Sequence, residues 1–281
     1  FTVWAERRIL EGLEGKDAVA LAAAIGRHSL QEEIDRFGAD SPLTHLQTDL
    51  AGTDPDEVYS VVPYEKGFLF VALLEKELGR EDMDSFLRAY LERFKFTSIT
   101  TQEFMAFIEE QRPGLLERVG AEEWIHGPGI PENSPSWRSE RLEELERLAN
   151  SFVEGERPDV AQAKESWSAE DWQIYLPRLP RPMKLEDCQW LDESFAFGES
   201  GNSEIRAAWL NIAAASGYEP AFDGIRSFLG TVGRMKYLKP LYKALLGGGG
   251  TTEALAREIF EQAKGGYHPI ARGVLEGMMG S

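Results

Sequence analysis

The apolar residues of this chain recur three and four positions apart and nowhere alternate, a spacing that favours helices and gives no support to strands. Between Pro63 and Gly79 the residues Phe68, Val71, Leu74 and Leu78 keep the helical period. Pro63 fixes its own φ at the start and Gly79 supplies a stop. Over 82–94, Met83, Phe86, Leu87, Tyr90, Leu91 and Phe94 share one face. Thr100-Thr101-Gln102-Glu103 reads as a capping box that opens a helix through Phe104, Phe107 and Ile108. Shorter periodic stretches, punctuated by Gly, Pro or Asn, predict helices over 1–13, 17–25, 30–37, 142–152, 170–176, 182–191, 204–215, 222–229, 235–246, 253–260 and 269–278, with Asp17 as an N-cap. The expected fold class is all-α.

One stretch interrupts this pattern more firmly than any other. Gly127-Pro128-Gly129-Ile130-Pro131-Glu132-Asn133-Ser134-Pro135-Ser136 packs three prolines and two glycines into ten residues. It divides the chain into a first domain at 1–126, a linker at 127–136 and a second domain at 137–281. The short helices of the second half suggest antiparallel pairs stacked into a curved layer of armadillo or HEAT type, although no strict sequence period is present. The helical pattern begins at Phe1 without an initiator Met, a capping side chain or a first-turn proline, so the chain is expected to start partway through a larger protein.

Charge narrows the partners. With 48 acidic against 30 basic residues the formal charge is −18, which argues against nucleic acid and anionic membranes. No apolar run approaches the ~18 residues of a membrane span, no signal peptide is visible, and a cytoplasmic location is the expectation. The single cysteine, Cys188, excludes an internal disulfide and is expected to be inert.

Few motifs carry chemistry. His28, His45, His126 and His268 are scattered, none sits in a HExxH pair, and no metal site can be assembled from them. There is no GxSxG elbow, and the Gly247–Gly250 run lacks the Lys-Ser/Thr of a phosphate cradle. Two features remain. Tyr59 and Tyr64 flank Pro63 at the mouth of a helix, which puts Tyr64 in a first turn where unpaired N–H groups and the positive end of the dipole favour a strongly donating phenol. A half-buried amphipathic tyrosine is the plainer alternative. The second feature is Arg234, Lys236, Lys239 and Lys243, a local positive patch able to hold a carboxylate. The alternative there is a solvated face beside the Leu238, Leu241 and Leu245 stripe.

Taken together the pieces resemble a known family. Pro63-Tyr64-Glu65-Lys66-Gly67 after Asp54-Pro55-Asp56, the opening Thr2-Val3-Trp4-Ala5-Glu6-Arg7, Ser98-Ile99-Thr100-Thr101, Asn202-Ser203-Glu204-Ile205-Arg206 and Gly233-Arg234-Met235-Lys236 are similar, in order and separation, to the leukotriene A4 hydrolase branch of the M1 zinc aminopeptidases. The resemblance covers nearly the whole chain. It implies the helical second half of a thermolysin-like catalytic domain followed by an α-helical repeat domain. It implies zinc as cofactor, held by HExxH and a third Glu upstream of Phe1, so that no metal ligand lies in this chain and the isolated segment is inactive. Tyr64 matches the family's catalytic tyrosine, which donates to the developing oxyanion as zinc-activated water attacks the scissile carbonyl. Tyr59 and Asp56 match substrate-pocket residues, Asp56 being the carboxylate used in epoxide opening by leukotriene-processing members. Arg234 and Lys236 match the residues that grip the free carboxylate of a short peptide, and Glu6 matches an acidic position near the zinc ligands. The implied partners are short peptide substrates and the upstream part of the same protein. The implied function is removal of N-terminal residues from short peptides; the alternatives are a catalytically silent helical interaction domain and epoxide hydrolysis of the leukotriene A4 type.

Overall fold

The computed structural model describes residues 1–52 and 58–280, and among these no strand occurs. The helices form two compact units, Phe1–Ser139 and Glu140–Ser281.

The first unit is built around a helix that is apolar on every side. α1 (Thr2–Glu14) and α2 (Lys16–Phe37) precede it, α3 (Val62–Leu78) is the central element, and α4 (Arg80–Phe94), α5 (Thr101–Gln111), α6 (Leu115–Val119) and α7 (Ala121–His126) follow. Every residue from Phe68 to Leu74 is buried, and α3 packs against α1, α2, α4 and α6. A helix buried all round belongs at the centre of its unit. Phe68 stacks on Trp137 with ring centroids 5.0 Å apart, and Phe70 meets Trp124 at 5.8 Å. Gly79, at φ 79°, ends α3 and opens α4 in a single residue, a conformation that L side chains rarely adopt.

The capping box forms as its sequence requires: the Glu103 N–H donates to Thr100 Oγ1 at 3.2 Å, and the Thr100 N–H donates to Glu103 Oε2 at 2.7 Å. Other expectations change. The two helices expected over 17–25 and 30–37 are one continuous α2, because its buried residues Val19, Ala23, Gly26, Leu30 and Ile34 run on across the proposed break. Gly15 occupies the N-cap position and Asp17 lies in the first turn. The stretch 127–136 is irregular, as its prolines and glycines dictate, but it is bonded onto the first unit: the Trp124 indole N–H donates to Asn133 Oδ1 at 2.9 Å, and Asn133 Nδ2 donates to the Val119 carbonyl at 2.9 Å. The boundary between the units falls at 139/140.

The second unit contains α8 (Glu140–Asn150), α9 (Val160–Ser166), α10 (Ala169–Arg178), α11 (Leu185–Phe195), α12 (Ser203–Ala215), α13 (Phe222–Thr231), α14 (Met235–Gly247), α15 (Gly250–Ala263) and α16 (Pro269–Gly280). Packing largely skips alternate helices: α8 lies on α10, α10 on α12, α12 on α14 and α14 on α16, while α9 meets α11 and α13 meets α15, and α12 with α13 and α14 with α15 join the two rows. Alternate helices thus form two layers, the arrangement that stacked helix pairs produce. Between the layers lie Tyr175, Cys188, Trp209, Phe228 and Tyr242, all fully or almost fully buried. Burial pushes the Cys188 thiol above its ordinary pKa, which keeps it protonated. α11 starts at Leu185, three residues later than the spacing suggests, after a cis Arg181–Pro182 bond. The five-residue α6 and seven-residue α9 are too short for periodicity to show. No helix among the described residues is long and apolar enough to cross a membrane.

Candidate active site

The first turn of α3 forms one wall of a cleft of about 280 Å³. Pro63 and Tyr64 come from α3, Val58, Tyr59 and Ser60 from the extended segment before it, and Leu43, His45, Leu46, Thr48 and Leu50 from the loop that begins at the short turn Pro42–Thr44. The extended segment is held at two adjacent residues where it meets α3. Arg36 Nη2 donates to the Tyr59 carbonyl at 3.3 Å, and the buried Ser60 hydroxyl accepts from the Val62 N–H at 3.3 Å. Both phenols are therefore presented to solvent, Tyr59 at 70% exposure and Tyr64 at 50%, with ring centroids 6.4 Å apart. The hydrogen-bonding Tyr59 hydroxyl, and secondarily its charge, raise the Tyr64 pKa above the ordinary phenol value. Tyr64 thus carries its proton throughout the neutral range and can donate it in a hydrogen bond. Across the cleft, burial first and the charges of Lys66 and His126 second lower the His45 pKa, so this imidazole is neutral at pH 7.

Behind these exposed groups are buried charges that the spacing argument overlooked. Lys66 is 0% exposed, and its ammonium donates to the Thr44 carbonyl at 2.9 Å and the Gly127 carbonyl at 2.7 Å. Burial lowers its pKa to about 8, opposed by the charge of Glu123. Thr44 in turn accepts from the Gly129 N–H through its hydroxyl at 2.9 Å, and the Gln47 N–H donates to the Ile125 carbonyl at 3.0 Å. Arg7 of α1 reaches Glu65 of α3 at 2.8 Å and the Ala22 carbonyl of α2 at 3.1 Å, with its guanidinium 3.9 Å from the centroid of the Phe68 ring. The signal for Lys66 lay in its phase: it sits four residues after Val62 and four before Phe70, on the buried side of α3.

Of the other residues singled out in the sequence, Asp56 lies outside the described residues. Glu6 is exposed on α1. Arg234 and Lys236 belong to the second unit, at the N-cap and second position of α14. Both are exposed, but Lys236 is paired with Glu204 of α12 at 2.6 Å. Glu204 also accepts from the Tyr237 hydroxyl at 2.7 Å; burial first and this bond second push the Tyr237 pKa up to about 12. Arg234 lies 5.9 Å from the Tyr237 ring centroid. Among the described residues no three His, Cys, Asp or Glu side chains converge as a metal site.

This chain is matched by known proteins over nearly its whole length. Residues 1–124 match the peptidase family M1 domain, and residues 167–279 match the C-terminal domain of leukotriene A4 hydrolase. The chain belongs to the M1 peptidase family, in its leukotriene A4 hydrolase branch. Leucine aminopeptidase 2 of Aspergillus terreus is 32% identical over 289 residues, covering 98% of this chain and 46% of that protein. Leucine aminopeptidase 2 of Neurospora crassa is 32% identical over 292 residues, covering 100% of this chain and 43% of that protein. A solved structure of yeast LTA4 hydrolase in complex with bestatin superposes with a TM-score of 0.85 at 26% identity, covering 99% of this chain and 49% of that one. The chain spans about half the length of the curated relatives it matches.

Proposed function

We propose that the full-length protein is an aminopeptidase that removes the N-terminal residue of short peptides, and that Tyr64 is its catalytic phenol. The observation that carries the reading is the Tyr64 hydroxyl itself, solvent-facing in the cleft that Tyr59 also lines, with the two rings 6.4 Å apart. Such a donor stabilises the oxygen on which negative charge develops when a peptide carbonyl is attacked. Tyr59 lines the same cleft and holds the substrate against it. Asp56 is a further substrate-binding residue, and Arg234 with Lys236 holds the free carboxylate of a short peptide. Arg234 is the stronger candidate of the two, because Lys236 already has Glu204 as a partner. In domain terms, residues 1–126 are the second half of the catalytic domain and 137–281 the C-terminal helical domain.

M1 aminopeptidases are zinc metallopeptidases. The described residues do not fit a zinc site, since no three potential ligands converge among them, and the chemistry assigned here to Tyr64 is that of a hydrogen-bond donor alone. We propose further that residues 1–281 by themselves are inactive, which an aminopeptidase assay with metal analysis on this segment and on the full-length protein tests. Tyr64→Phe in the full-length protein, assayed on Leu-p-nitroanilide, should lower kcat by ~10²-fold or more with little change in KM. A kcat near wild type would remove Tyr64 from the reaction. Since the superposed yeast structure is that of an LTA4 hydrolase, a lipid-epoxide substrate run beside the peptide tests the second activity, for which Asp56 is the residue to replace.

A further inference from the structure

Lys66 is the one buried lysine of the chain's described residues, and the proposed chemistry leaves it unused. Among the described residues no carboxylate lies within ion-pairing distance of it; its two bonds go to backbone carbonyls 22 and 61 residues away in sequence. Burying an ammonium without a charged partner is costly, and an aliphatic side chain of similar length would fill the same space without that cost. What an aliphatic group cannot do is hold two carbonyls. Thr44 lies at the base of the loop that forms the far wall of the cleft, with His45 and Leu46 directly after it. Gly127 opens the irregular stretch that returns to Thr44 through the Gly129 N–H. Lys66 stands two residues after Tyr64 on the same helix, on its buried side where Tyr64 faces solvent.

We propose that Lys66 is a positioning residue for Tyr64: its ammonium clamps the Thr44 and Gly127 carbonyls, and thereby fixes the loop wall of the cleft at a set distance from the helical turn that carries the phenol. The proposal rests on the reading of Tyr64 as the catalytic donor. It differs from general stabilisation in what its loss does. A displacement of about 1 Å between donor and substrate wall costs turnover far more than binding, on the order of 10²-fold at the extreme.

The test is a cycle of Lys66→Met and Tyr64→Phe in the full-length protein, with Leu-p-nitroanilide as substrate and rates normalised to the folded fraction by circular dichroism. Lys66→Met should lower kcat by ~10-fold or more while KM moves by less than about twofold. In the Tyr64→Phe background the same substitution should change kcat by less than about twofold, because no hydroxyl remains to be positioned. A Lys66→Met kcat within about twofold of wild type, or a loss that is simply additive with Tyr64→Phe, overturns the proposal. A wild-type rate for Tyr64→Phe alone overturns instead the reading beneath it. Should Lys66→Met fail to fold, Lys66→Gln keeps a polar donor on a shorter side chain that cannot reach both the Thr44 and Gly127 carbonyls. That variant should lose ~2- to 5-fold in kcat, again only when Tyr64 is present, and an unchanged kcat would overturn the clamp.

Discussion

Substituting Gly26 by alanine sets two effects of opposite sign against each other. Gly26 lies inside α2, and a glycine-to-alanine change in a helix interior ordinarily stabilises by up to about 1 kcal/mol. Here, however, a Cβ would stand 2.6 Å from Glu65 Cδ, and closer still to Glu65 Oε2 and Arg7 Nη2. These atoms are the tips of side chains, so the backbone need not move, but the side chains are held in place. The Arg7–Glu65 pair has side-chain exposures of only 8% and 17%, and Arg7 is further bonded to the Ala22 carbonyl, one turn before Gly26. Arg7 Nη1 is already buried without a partner, so forcing the pair apart leaves charge in a dry place with nothing to replace the lost bonds. Separating a buried pair in this way costs about 3 to 5 kcal/mol. Subtracting the helix gain leaves Gly26→Ala destabilising by about 2 to 4 kcal/mol, a fall in melting temperature on the order of 10 °C for a unit of this size. The control is Gly12→Ala on α1, where nothing lies within 4 Å of the added methyl and the helix term acts alone. Differential scanning calorimetry, with denaturant titration followed by tryptophan fluorescence, reads both variants. If Gly26→Ala proves as stable as wild type while Gly12→Ala gains, the buried pair does not hold α1, α2 and α3 together and the steric reasoning fails.

Three further outcomes are expected. Arg234→Ala should raise KM several-fold, and up to ~10²-fold, for peptides with a free carboxylate, and equal weakening of carboxyl-amidated peptides would contradict the assigned role. Asn133→Ala should destabilise the first unit by about 1 to 3 kcal/mol in thermal unfolding, because it leaves the Trp124 indole N–H and the Val119 carbonyl without their partner. Lys66, whose pKa drops from 10.5 unfolded to about 8 folded, makes the unfolded chain the stronger proton binder between those values, so its contribution to stability grows as pH rises through 8. Glu123 is the charged group that acts on it, raising its pKa and holding the shift in check, and Lys66 in turn lowers the pKa of His45. Relative to Lys66→Met, the wild type should therefore gain about 1 to 2 kcal/mol between pH 7 and 9.5 in denaturant titrations, and a flat difference would refute the shift.

The candidate site was legible in the sequence where its residues are local. Pro63, Tyr64 and Gly67 fall within one helical turn of each other, and Tyr59 precedes them in the same segment, so spacing alone could bring the two phenols to one place. The buried supports were not legible, because each joins residues far apart in the chain: Lys66 with Thr44 and Gly127, Arg7 with Glu65, Lys236 with Glu204. Lys236 shows the consequence. As one cation among four it read as a free receptor for a carboxylate, and only the packing of α12 on α14 supplies the glutamate that occupies it.

By itself the sequence determined that the chain is helical, where most of its helices lie, and which phenols stand at the head of the central one. Those follow from period, caps and punctuation, which are properties of neighbours in the chain. Only the tertiary structure decided that α2 is unbroken, that the proline- and glycine-rich stretch is bonded onto the first unit, and that a buried ammonium stands behind the Tyr64 helix turn. Each of these depends on contacts between segments tens of residues apart, which become neighbours only when the apolar faces of the helices are packed together.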